Sequence, residues 1–141
     1  MKFMMIVKAN KDSEAGKMPS QELIAAMGRY NEELMKAGAL VDLAGLHPSS
    51  KGFRVKFSQG KRSVIDGPFA ETKELIAGFW IINVKSKEEA VDWAKRVPEP
   101  FGAGEEAVVE VRPFFELEDF EPSEAIDRAR ELGEKLADKK K

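Results

Sequence analysis

Between two apolar runs, Phe53 to Ile65 and Leu75 to Val84, lies a polar stretch: Asp66-Gly67-Pro68-Phe69-Ala70-Glu71-Thr72-Lys73-Glu74. Its three carboxylates, lysine and threonine sit on a backbone that Gly67 and Pro68 shape into a defined turn. Asp66 can serve there as a general base or as a carboxylate that holds a ligand. Equally, it can be an Asx-turn residue that caps nearby backbone N–H groups. Glu71, Lys73 and Glu74 suit a polar ligand, or a solvated ion-pair cluster of little energetic weight. His47 is the sole histidine, the one side chain whose ordinary pKa allows proton exchange near neutrality. It precedes Pro48 in a turn, where an exposed histidine with no task is the plainer reading. Arg112 can hold an anionic group or pair with Glu110 or a loop carboxylate. In the first long helix Tyr30 reads as core, whereas Asn31 can present its amide over the sheet. Asp12, Glu14 and the acidic 116–121 segment lack metal-loop spacing. Phe79, Trp80 and Trp93 read as packing, so neither a metal nor a cofactor is expected.

The elements that position these groups follow from pattern. Phe3 to Val7 is a short apolar run between lysines and reads as a strand buried on both faces. Asn10 to Pro19 is expected to be loop. Ser20 is a helix N-cap, and Leu23, Met27, Tyr30 and Leu34 recur at helical spacing until Gly38 stops the helix. Leu40 to Leu46 is a second strand. Phe53, Val55 and Phe57 alternate with Arg54, Lys56 and Ser58, a strand with one wet face. Gln59-Gly60-Lys61 turns it back into an antiparallel Arg62–Ile65. Leu75 to Val84 is the most apolar run and reads as the central strand. Ser86-Lys87-Glu88-Glu89 is a capping box opening a helix whose buried face is Ala90, Val91, Ala94 and Val97. Pro98 and Pro100 stop that helix. Ala107 to Val111 is the last strand. Ser123 then caps a final helix with Ala125, Ala129, Leu132 and Leu136 on one stripe and a basic end, Asp138 to Lys141.

Helices on one face of a mainly antiparallel sheet make an α+β, ferredoxin-like plan with an inserted hairpin. The 141 residues fit one domain, taken as residues 1–117, followed by a helical extension over 118–141. The composition, 43% hydrophobic and 34% charged, is that of a globular chain. A formal net charge of −2 argues against nucleic acid as partner. The absence of cysteine removes disulfides, thiolate catalysis and zinc–thiolate sites. The first eight residues do not read as a signal peptide, and no run reaches the roughly 20 apolar residues of a membrane span, so a cytoplasmic location with no membrane partner is expected.

Asp66 to Glu74 resembles the motif that names the DGPF branch of the YciI-like (YCII-related) family. Tyr30-Asn31-Glu32-Glu33-Leu34 with Ala37-Gly38, Gly45-Leu46-His47-Pro48-Ser49, Gly78-Phe79-Trp80-Ile81-Ile82 and Glu110-Val111-Arg112-Pro113 are similar to its other signature stretches. The likeness covers about residues 1–117. It implies a ferredoxin-like fold paired into a dimeric α+β barrel. It also implies, for members encoded beside extracytoplasmic-function sigma factors, a regulatory partner. Classical relatives are thought to join the motif aspartate to a histidine in the first helix. Here that helix has none, and Met27 stands near the place.

Two functions follow as expectations. One is a homodimer that binds a small anionic or polar ligand, or regulates, through a pocket at the Asp-Gly-Pro-Phe turn. The other is a lyase or isomerase with Asp66 as acid or base. The pocket is expected beneath the first helix, with Asp66 partly buried on the polar side of its strand and Asn31 and Arg112 nearby. The final helix is expected to dock on a sheet edge or a second subunit.

Overall fold

The computed structural model describes residues 1–140; Lys141, the last of the basic tail, lies outside the described residues. Strand β1 (Lys2–Lys8) leads through a one-turn helix α1 (Lys11–Glu14) to α2 (Gln21–Lys36) and β2 (Leu40–Gly45). A hairpin of β3 (Phe53–Ser58) and β4 (Lys61–Asp66) follows, then β5 (Ile76–Asn83), α3 (Lys87–Lys95), β6 (Val109–Pro113) and α4 (Glu124–Lys139). Four strands form an antiparallel sheet in the order β2-β5-β1-β6, and β3-β4 is a separate two-stranded sheet. The architecture is α+β, and with the hairpin set aside this order is compatible with the ferredoxin-like plan.

The expected loop after β1 is partly helical. Asn10 and Ser13 cap each other's backbone N–H groups across α1, a reciprocal box that makes a single turn stable. Ser20 accepts the Leu23 N–H and starts α2, and Gly38 leaves it at φ +71°. Glu89 also departs from expectation: Ser86 caps its N–H, but its carboxylate accepts from Lys85 rather than from the N-cap.

Residues that pair across an antiparallel ladder share a face, so register fixes the layers. Phe3 pairs Ile82 and Met5 pairs Trp80. These four, with Val7, meet Tyr30 and Leu34 of α2 and Ala90 and Trp93 of α3 in the core. Trp93 rather than Val91 fills the buried side of α3, and Val91 is left exposed. Tyr30 is edge-on to both Trp80 and Trp93, and its hydroxyl donates to the Trp93 carbonyl at 2.7 Å. Alternation places Met4, Ile6, Phe79 and Ile81 on the opposite face of the sheet.

Candidate functional site

The polar stretch is held by a lock at the root of the hairpin. The Gly67 N–H donates to the Gly52 carbonyl at 3.0 Å, and the Gly52 N–H to the Ser49 carbonyl at 2.9 Å. A Cβ on residue 67 would lie 1.8 Å from the Ser49 carbonyl oxygen, so only glycine fits. The Ser49 hydroxyl accepts the Phe69 N–H at 3.1 Å and donates to Glu14. The other carboxylate oxygen of Glu14 accepts the Ser49 N–H at 3.0 Å. Arg54 closes the assembly, its guanidinium 3.7 Å from the centre of the Phe69 ring and 3.6 Å from Glu71. The Gly67-Pro68 peptide bond is cis.

Asp66 stands outside this lock. Its side chain is exposed, and β4 pairs it with Phe53. That register sets Asp66 on the same side of the hairpin as Phe53, Val55 and Val64, whereas Ile65 pairs with Arg54 on the polar side. This reverses the expected orientation, because the strand continues regularly through residue 66 and the pleat carries alternation with it. The expected partial burial beneath α2 is absent in the single chain.

Sheet topology gathers some expected residues and separates others. The Leu46 N–H donates to Ala77 at 2.8 Å and the Ala9 N–H to Leu75 at 2.9 Å. His47, Lys73 and Glu74, all exposed, therefore share one end of the main sheet with the lock and Asp66. Asn31 is elsewhere: its amide oxygen accepts from the Trp80 indole N–H at 2.7 Å, on the helix-covered face. Arg112 pairs with Met4 on the opposite face and is exposed. Asn31 and Arg112 consequently cannot line one pocket of a single chain, because the sheet stands between them.

Sequence reasoning passed over Glu14, Ser49 and Arg54. The Asn10-x-x-Ser13 box was the available signal for Glu14, since it fixes the turn that presents it. Among the described residues no cluster of histidine and carboxylate side chains could hold a metal ion, and no helix is long and apolar enough to cross a membrane.

A family model for the YCII-related domain matches residues 1–115, which takes in the main sheet, the hairpin and the lock. The chain belongs to the YCII-related family. It is also similar to an uncharacterized protein of Rhizobium meliloti (strain 1021), 34% identical over 79 residues. That stretch is 56% of this chain and 64% of the relative, a little under two thirds of its length. Within this YCII-related domain, the lock ties the hairpin to the sheet end, and Asp66 is left facing outward at the hairpin's root.

Proposed function

We propose that this YCII-related chain works as a homodimer that binds a small anionic or polar ligand, or regulates through it, with the site at the Asp-Gly-Pro-Phe turn completed where two copies meet. The hairpin carries this reading. Phe53, Val55, Phe57 and Val64 lie on one of its faces, and Phe57 and Val64 are each 68% exposed. A largely apolar face of that kind, shared with Arg62 stacked over Phe57, on a rooted arm is a surface for another chain. A second copy is the simplest occupant, because two-fold pairing sets the same patch against itself or against the sheet face of Met4, Phe79 and Ile81. Asp66 sits at the root of this patch, so dimerisation brings its carboxylate to the edge of a partly desolvated interface. Lys73, Glu74 and His47 are at hand on the same sheet end.

The test has two arms. Sedimentation equilibrium at micromolar concentration reads the dimer, and a monomer there rejects the reading. Thermal-shift titration with small carboxylates and phosphates, on the parent protein and on Asp66→Asn, reads the site. A stabilising compound whose effect is lost in Asp66→Asn with unchanged unliganded stability supports it; equal response of the two proteins to every compound counts against it. The alternative, a lyase or isomerase using Asp66 as acid or base, draws on the exposure of that carboxylate. Solvent-deuterium incorporation into a bound carboxylate, abolished in Asp66→Asn, would favour it.

A further inference from the structure

Among the described residues, helix α4 and the edge of the main sheet each present an uncovered apolar surface. Phe115 and Phe120 pack ring against ring, and Leu117, Phe120, Pro122, Ile126 and Arg130 line a cleft between the preceding turn and the helix. Beyond that cleft its stripe is exposed: Leu132 is 66% and Leu136 55% exposed, and α4 buries no residue fully. Helices of this length are marginal in water unless an amphipathic face is packed. The second surface is a groove of about 390 Å³ between α3 and β6, floored by Val91, Ala94, Val97, Val109 and Val111. It exists because α3 packs Trp93 inward and turns Val91 to the outside, leaving the helix side of the edge strand open.

We infer that α4 of one copy lies in the α3–β6 groove of a second copy, in a reciprocal exchange across the two-fold axis. Three features match the surfaces. Ala125, Ala129, Leu132 and Leu136 recur at i, i+4, i+7 and i+11, a stripe about 17 Å long at 1.5 Å per residue, which suits a groove running beside a helix of similar scale. Arg128, Lys135 and Lys139 follow one flank of that stripe at the same spacing, and Glu99 and Glu105 stand on the rim of the groove. Beyond the basic flank come Glu124 and Glu131, which suit the third rim charge, Lys95. Finally, Gly133 lies on the other flank in mid-helix, where glycine costs about 1 kcal/mol against alanine. Among the described residues nothing comes within 4 Å of a Cβ built there. The position is open to close backbone approach by a second chain. No described residue of the chain's own α4 lines this groove, and Leu132 and Leu136 stay exposed, so a second copy is the occupant.

This inference rests on the dimeric reading but is separable from it. The chain has no cysteine, so engineered thiols report without background. Leu132→Cys and Val91→Cys variants carrying different tags are mixed at micromolar concentration and mildly oxidised, beside each variant alone and the Leu132→Cys/Val91→Cys double variant. The expected result is a disulfide-linked heterodimer in the mixture and a linked dimer of the double variant. An internal disulfide in a monomeric double variant, a linked dimer of Leu132→Cys alone (two α4 helices pairing), or no disulfide in any sample would each overturn it. Glu105→Lys should weaken dimerisation about tenfold, and Arg128→Glu should restore it in the double variant; independent effects of the two changes also count against the exchange. Sedimentation of the parent protein keeps the two readings apart: a dimer without the cross-link sinks the exchange alone, whereas a monomer sinks both.

Discussion

Glu14 and Ser49, 35 positions apart, hold each other through both oxygens of one carboxylate. The same serine hydroxyl that donates to Glu14 accepts the Phe69 N–H, so α1, the turn after β2 and the Asp-Gly-Pro-Phe turn meet at one side chain. Ser49→Ala should therefore cost more than a surface hydroxyl. The loss should be about 1–3 kcal/mol, as for a hydrogen-bonded pair that leaves its partners unsatisfied. Urea unfolding of Ser49→Ala and Glu14→Gln checks this, and the Phe69 amide should exchange faster in the serine variant. A loss under about 0.5 kcal/mol, the scale of ordinary surface substitutions, would show the lock to be incidental.

Two glycine substitutions should have opposite signs. Gly67→Ala puts a Cβ 1.8 Å from a backbone oxygen, and since Ser49 is itself tied down the hairpin root must move. We expect a loss above about 2 kcal/mol, the range for forced backbone shifts. Gly28→Ala places its methyl in open space on α2 and should gain up to about 1 kcal/mol from helix propensity alone. Thermal unfolding of the two variants side by side decides it; equal effects would contradict the geometry.

Tyr30 is the only tyrosine, which makes its ionisation directly readable. Burial pushes its pKa well above the ordinary value of 10; nearby Arg96 opposes this, and Glu33 adds to it. A raised folded-state pKa means that the unfolded chain loses the phenolic proton first. The contribution to stability is thus intact below about pH 10 and declines as pH rises from there towards the folded value. In an alkaline absorbance titration the tyrosinate signal should appear only with unfolding. A smooth titration near pH 10 in the folded protein would refute the burial argument. Tyr30→Phe should cost about 1 kcal/mol, the loss of one buried hydrogen bond, because the Trp93 carbonyl keeps the Arg96 N–H as its other donor.

The hairpin face predicts a change in association rather than in folding. Phe57→Lys and Val64→Lys place charge on positions that are already solvent-facing in the single chain. Monomer stability should stay within about 0.5 kcal/mol. The Kd of the proposed dimer should rise at least tenfold, read by sedimentation over a concentration series. Unchanged association would move the interface to another surface.

Periodicity, caps and turn chemistry marked most elements of this chain from local residues alone. Ser20 and Gly38 bound α2, Ser123 opens α4, and Gln59-Gly60, with φ of 50° and 76°, closes the hairpin. The Asp66–Glu74 stretch stood out because polar density between two strands is visible without coordinates, and the family likeness followed from the same residues. Local pattern did not say which groups converge. Asn31 and Arg112 looked like neighbours of Asp66, but strand register put them on opposite faces of a sheet to which β4 does not belong. Asp66 took the apolar side of its hairpin because pairing with Phe53 carries the pleat through the strand end. Glu14 became part of the lock through a bond to Ser49 that no spacing rule anticipates. Helix and strand are decided by interactions a few residues apart, which a sequence displays directly. Faces, pairings and long-range hydrogen bonds are decided by how the chain closes on itself, and that depends on the fit of all the elements together.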